Sequence, residues 1–271
     1  MTGICCFQNR SGDDEIATTN PIFRNFASSK PVGGLAADSA ERMTLSGTLH
    51  RTAILLVLFA ASAVCSWIEV GLFQHGGKGA TLVLALVFSV CAISGVVLVW
   101  TTVFIKTWSP VTGPIYAMMQ GVVVGFLSVG MDRRFPGVVI QAVGLTIAIC
   151  ICLLVAYRFG FIRVTESFNK KLAAATSGVI VYYLACFGLA LMGGRTLSKV
   201  TGGIPGILIS VIIVAIAGMS LVSNFDFAAQ CSKERFPKYM EWYAALGLLV
   251  TLIWLYVETL KLLSKARNSQ G

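Results

Sequence analysis

The sequence has few charged residues and almost no histidine. Charged side chains make up 12% of the 271 residues, and the histidines are His50 and His75, whereas soluble domains carry roughly 25% charged residues. No His-Glu-x-x-His, Gly-x-Ser-x-Gly or phosphate-binding loop motif is present, and two histidines give little basis for a catalytic triad or a histidine metal cluster. We therefore expect a protein that is neither a soluble domain nor an enzyme, and that has no cofactor.

The eight cysteines contain no Cys-x-x-Cys pair, which argues against a zinc site. Five of them lie inside apolar runs, where cysteine acts as a small apolar side chain; these are Cys65, Cys91, Cys150, Cys152 and Cys186. The adjacent Cys5 and Cys6 near the N-terminus are compatible with acylation or redox chemistry, or with an incidental pair in a disordered tail.

Hydrophobic residues make up 56% of the chain and form seven long runs. A hydrocarbon core about 30 Å thick needs about 20 apolar residues per helix, and unpaired backbone is excluded from lipid. The fold class is therefore all-α, a polytopic membrane protein with a seven-helix bundle. The predicted helices span about 52–73, 80–104, 111–130, 137–157, 172–193, 204–225 and 240–263.

The predicted domains are a disordered tail at 1–50, a transmembrane domain at 51–265 and a short tail at 266–271. The net charge is +9, but the basic residues lie in the connections and no nucleic-acid motif accompanies them. We expect a lipid bilayer as the partner and no nucleic acid. Of 21 Lys and Arg, 13 fall on the side of the N-terminus, which the positive-inside rule makes cytoplasmic.

Asp226 lies near the end of the sixth apolar run, where a membrane helix ordinarily excludes a charge. If the helix ends at Phe225, the carboxylate meets the negative end of the helix dipole; if it continues to Gln230, Asp226 lies one to two turns inside. One interpretation is a buried carboxyl that keeps its proton and changes charge with pH. The other is an interfacial acid paired with Lys233 or Arg235.

Glu258 lies inside the seventh run, with Lys261 three residues further on and Lys265 seven further on. A surface ion pair on one helix would account for Glu258 without a function. A secondary role in an ion pathway is the alternative.

Other polar residues are expected in the bundle interior, namely Gln120 and Gln141 in the third and fourth segments and Glu241 at the start of the seventh. Gly121 and Gly125 form a Gly-x-x-x-Gly pair that allows close helix contact. Packing within the bundle is favoured over a homodimer contact.

Several short stretches resemble the bacterial branch of the Bax inhibitor-1 (transmembrane BAX inhibitor motif) family. The likeness covers nearly all of the chain after residue 18. The stretches are Asn20-Pro21-Ile22-Phe23, Val164-Thr165-Glu166-Ser167-Phe168, Asn224-Phe225-Asp226-Phe227, the run from Pro237 to Tyr243, and the run from Leu248 to Tyr256.

The resemblance implies a seven-helix bundle with the last helix central, and a pH-sensitive calcium leak in members that carry an acid pair on helices six and seven. Asp226 matches the first acid of that pair. Thr251 occupies the position of the second, and Gln120 that of an acid on helix three. We therefore expect conduction that is weaker or differently gated than in members with both acids.

The expected function is a calcium leak channel of the bacterial inner membrane, with calcium as the permeant ion, Asp226 as the titrating group, and Glu258 and Thr251 in the pathway. The alternative is a non-conducting regulator of membrane protein quality control or stress tolerance that acts through membrane protein partners. A polar lining around Asp226 would favour the channel, and a sealed apolar interior would favour the regulator.

Overall fold

A computed structural model describes residues 42–73, 78–162, 164–191, 203–234 and 236–269. This part of the chain contains seven helices long and apolar enough to cross a membrane, which confirms the predicted fold class. They are α1 Leu45–Phe73, α2 Lys78–Phe104, α3 Ser109–Arg134, α4 Val138–Arg158, α5 Glu166–Leu191, α6 Gly203–Lys233 and α7 Met240–Asn268. A short 3₁₀ turn, Lys106–Trp108, joins α2 to α3.

The last helix, α7, lies at the centre of the bundle, as the family resemblance implies. It contacts α1, α3, α4 and α6. Its side chains are buried at intervals along almost its whole length, and Tyr243, Leu246, Leu249 and Leu255 have no exposed surface. The outer helices turn apolar residues such as Leu86 outward, as expected for a surface that faces lipid.

Several helices are longer than the predicted spans. α1 begins at Leu45 and α5 at Glu166, while α6 continues to Lys233 and α7 to Asn268. The predicted domain limits at 50 and 265 therefore fall inside α1 and α7. The hydrophobic runs mark only the hydrocarbon core, whereas a helix of 29 residues such as α7 is about 43 Å long and extends into the polar interface.

Predictions for the segment before residue 42, including Cys5, Cys6 and Asn20-Pro21-Ile22-Phe23, lie outside the described residues, as does His75. The chain enters α1 beside the α6–α7 connection. Arg42 and Pro237 form an antiparallel bridge, and the Met43 amide donates to the Phe236 carbonyl at 2.7 Å. The start of α1 is thereby attached to the connection that follows α6.

The Gly-x-x-x-Gly pair of α3 packs against α1. An added Cβ at Gly121 would overlap Ser62 and the Phe59 carbonyl, and one at Gly125 would overlap Ser66 and approach the Ala63 carbonyl to 2.6 Å. The two backbones are therefore in close contact, which only glycine permits at these positions. This confirms packing within the bundle at this face.

Candidate functional site

Asp226 lies inside α6, about two turns before the helix ends at Lys233. Its half-buried carboxylate accepts a hydrogen bond from the Tyr157 hydroxyl of α4 at 2.6 Å and another from the Gln230 amide at 2.5 Å. Among the described residues no Lys or Arg lies within ion-pair distance of it, and Lys233 is exposed. The predicted pairing with Lys233 is therefore not formed, and Arg235 lies outside the described residues.

Thr251 does not meet Asp226, although the two occupy the positions expected for an acid pair. The Thr251 hydroxyl accepts a hydrogen bond at 3.3 Å from the side-chain amide of Asn224, two residues before Asp226. Residues two apart on an α-helix project in directions about 200° apart. Asn224 therefore faces α7, whereas Asp226 faces α4.

Asn224 is fully buried, and its carbonyl oxygen Oδ1 has no donor among the described residues. Beside it, the hydroxyl of Ser223 donates to Asn169 of α5 at 2.9 Å. Buried polar groups are normally satisfied by protein or by water. The interior between α5, α6 and α7 thus contains neutral polar groups with spare acceptor capacity.

Glu258 is buried, with 2% of its surface exposed, and its negative charge is balanced by a lysine. Its carboxylate lies 2.7 Å from the Lys261 ammonium and accepts hydrogen bonds from the hydroxyl of Tyr183, on α5, at 2.7 and 2.8 Å. The Trp254 indole donates to it at 3.2 Å. The predicted pair with Lys261 is confirmed, but its carboxylate is buried against α5 and does not lie on the helix surface.

Glu241 is also paired, at the opposite end of α7. Its carboxylate accepts hydrogen bonds from the backbone amide and hydroxyl of Thr44 at 3.0 and 3.1 Å, and Arg51 lies 3.8 Å away. The Thr44 hydroxyl in turn accepts from the Gly47 amide at 3.0 Å. Glu241 is therefore interior, as predicted, and it holds the first turn of α1.

The two glutamines that were predicted to lie in the interior differ from each other. Gln120 is half-buried and packs on Gly95 of α2, where an added Cβ would overlap its amide. Gln141 is exposed, so its assignment to the interior is wrong. The buried face of α4 passes through Val138, Ala142 and Thr146, and Gln141 lies beside that face.

Asp226 and Glu258 lie towards opposite ends of the bundle. Asn224 of α6 contacts Thr251 of α7, so these two residues lie at the same height in the bundle. Asp226 lies two residues further along α6, in the direction of the start of α7. Glu258 lies seven residues beyond Thr251, in the direction of the end of α7. At 1.5 Å per residue, the two acids are separated by about 13 Å along the helix axes. A shared proton between them is excluded in this conformation.

All seven helices of this bundle lie within the residues that match a known protein family. The family model described as Bax inhibitor 1 like matches residues 16–268, nearly the whole chain. The chain belongs to the Bax inhibitor 1 like family. A search of curated proteins gives no match, and neither does a search of solved structures.

In this Bax inhibitor 1 like protein, the sequence predictions missed the hydroxyl and amide groups that surround the acids. Tyr157 and Tyr183 lie in apolar runs far from Asp226 and Glu258 in sequence, so no spacing pattern links them. Asn224 could have been found, because an uncharged polar residue inside an apolar helix commonly forms a hydrogen bond to another helix.

Among the described residues, no group of three His, Cys, Asp or Glu side chains comes together as a metal site. Of the buried or half-buried acids in α6 and α7, Glu241 and Glu258 have basic partners, whereas Asp226 forms no ion pair within the described part of the chain. Of these three acids, Asp226 is therefore the one whose charge is least compensated by the described residues.

Proposed function

We propose that this multi-pass membrane protein is a pH-sensitive calcium leak channel of a bacterial inner membrane, with its N-terminus in the cytoplasm. The observation that carries the proposal is the carboxylate of Asp226, which accepts hydrogen bonds from the neutral donors Tyr157 and Gln230 and has no basic partner among the described residues. Such a group can release its proton and then attract a cation. Carboxylate and amide oxygens are ligands that calcium accepts.

The neighbouring polar interior supports a route for the ion. Asn224 offers a buried carbonyl oxygen without a donor among the described residues, and Thr251 lies in contact with it. The two residues lie on α6 and α7, which pack extensively against each other. Separation of α6 from α7 would expose these oxygens to an ion that has passed Asp226.

The sign of the pH dependence follows from the single acid. The protonated carboxyl of Asp226 is neutral and does not attract calcium. The ionised carboxylate carries a negative charge and has no basic partner among the described residues. The leak should therefore increase as the pH rises. Because Thr251 replaces a second acid, repulsion between two carboxylates does not contribute, and the pH response should be shallower than that of an acid pair.

The test is calcium flux into proteoliposomes between pH 5 and 8, with wild type beside Asp226→Asn. The matched control is Asp132→Asn, which removes an acid that accepts a hydrogen bond from the Gly137 amide at the far end of α3. We expect a leak that rises with pH in the wild type and the control but stays constant in Asp226→Asn. An unchanged pH profile in Asp226→Asn would refute the role of this residue.

The second candidate is a non-conducting regulator of membrane protein quality control or stress tolerance. It is favoured by the ion pair between Glu258 and Lys261. Lys261 neutralises the charge of Glu258, so Glu258 is not available to attract a cation. Calcium flux no greater than that of empty liposomes at every pH would support this candidate and exclude the channel.

A further inference from the structure

Two lysines near the end of α7 lie on one face of the helix, towards α5 and α6. Lys261 and Lys265 are four residues apart, so their side chains are neighbours. The Lys261 ammonium contacts Glu258 and, at 2.8 Å, the Tyr183 hydroxyl. The Lys265 ammonium donates to the Ser210 hydroxyl at 2.8 Å and to the Gly206 carbonyl at 3.3 Å.

The charges of this cluster do not balance. One carboxylate, Glu258, faces two ammonium groups and is in contact with Lys261. Lys265 contacts only neutral oxygens among the described residues and is half-buried. The sequence between α5 and α6, residues 192–202, contains no Asp or Glu that could compensate Lys265. A partly buried charge is costly without a partner, and no described residue in contact with Lys265 supplies a negative charge.

We propose that Lys265, with Lys261 beside it, binds the phosphate of an anionic lipid at the end of the bundle where α5 ends and α6 begins. Lys265 lies three residues before the end of α7. Because α7 is longer than the hydrocarbon core is thick, we place its last residues in the headgroup region, where the lipid phosphates lie. Basic pockets between membrane helices bind anionic headgroups in this way. The inference does not depend on calcium conduction.

The surface beside the lysines fits the rest of the lipid molecule. Phe187 near the end of α5, and Ile204 and Leu208 at the start of α6, are exposed apolar residues. They lie on the two helices that flank Lys265 and offer contacts to acyl chains. A phosphate free in solution shares the headgroup chemistry but would make no use of this apolar surface.

The experiment measures the melting temperature of the full chain in a neutral detergent during titration with short-chain phosphatidylglycerol, short-chain phosphatidylcholine or inorganic phosphate. The variants are Lys265→Gln, Lys265→Arg, which keeps the charge, and Arg267→Gln. Arg267 is the matched control because it lies on the same helix end but donates to the Pro136 carbonyl, away from α5 and α6.

We expect phosphatidylglycerol to stabilise the wild type, Lys265→Arg and Arg267→Gln, and to bind Lys265→Gln about fivefold more weakly, as expected for one lysine near an anionic surface. The wild-type shift should shrink as salt is added. Equal stabilisation by inorganic phosphate, again dependent on Lys265, would support the phosphate site and assign it to a soluble anion.

Stabilisation by phosphatidylcholine equal to that by phosphatidylglycerol would overturn the proposal, as would a phosphatidylglycerol effect that is unchanged in Lys265→Gln. If Lys265→Gln does not fold, the salt dependence of the wild type and the behaviour of Lys265→Arg decide the question. A wild-type shift independent of salt would then refute a charge-based site.

Discussion

Tyr157 and Asp226 join α4 to α6 through a hydrogen bond of 2.6 Å from the phenol to the carboxylate. The aromatic ring of Tyr157 also packs edge-on against Phe225, with ring centres 5.8 Å apart. The phenol therefore has a fixed position beside the acid. Its hydroxyl occupies one of the two carboxylate oxygens of Asp226.

Tyr157→Phe should increase the calcium leak at pH 8. The substitution preserves the ring contact with Phe225 but removes the hydroxyl that occupies one oxygen of Asp226, so that oxygen becomes free to bind calcium. The measurement is calcium flux in proteoliposomes at that pH. A suitable control is Tyr256→Phe, which removes the hydrogen bond between Tyr256 and Ser128. A leak that falls in Tyr157→Phe, or that changes equally in both variants, would contradict the role of Tyr157.

Lys261→Met should destabilise the protein by about 2 kcal/mol or more, because it leaves Glu258 buried without its basic partner. The double variant Glu258→Gln with Lys261→Met removes the unpaired charge and should recover most of the loss. Unfolding in a denaturing detergent would measure both. If the double variant loses as much stability as Glu258→Gln and Lys261→Met lose in sum, the two residues are not coupled.

Gly125→Ala should weaken the contact between α1 and α3. The added methyl group meets backbone of α1, the Ala63 carbonyl, which cannot move as a side chain can. We expect a loss of about 1–3 kcal/mol, as for other overpacked sites. Gly130→Ala on the same helix has no neighbour within 4 Å and should be neutral or slightly stabilising, since alanine favours helix. Thermal unfolding of the two variants in detergent should therefore differ, and equal stabilities would show that the close contact is absent.

Glu241→Ala should release the start of α1, because Thr44 loses its acceptor and Arg51 its acid. Glu241→Gln should restore much of the attachment, since the amide oxygen can still accept from Thr44. Protease cleavage near residue 42 is the measurement, with faster cleavage expected in Glu241→Ala than in Glu241→Gln or wild type. Equal cleavage rates in all three proteins would show that Glu241 does not hold this segment.

The sequence predicts the parts of the structure that depend on local composition. In lipid, a long apolar run satisfies its backbone hydrogen bonds by forming a helix, so hydropathy predicts the seven helices. The Glu258–Lys261 pair follows from a spacing of three on one helix, and the close contact made by Gly125 follows from the missing Cβ. The ends of the helices were not predicted by hydropathy, because the helices continue through polar residues beyond the hydrocarbon core.

Only the tertiary structure decides what each acid faces. In a soluble helix, an apolar stripe marks the buried face, but in a membrane both the lipid and the bundle interior are apolar and the stripe disappears. The sequence therefore cannot show that Asp226 faces Tyr157, that Asn224 faces Thr251, or that Gln141 faces outward. Those directions depend on how each helix is rotated and which helix lies next to it, and both are set by packing between residues far apart in the chain.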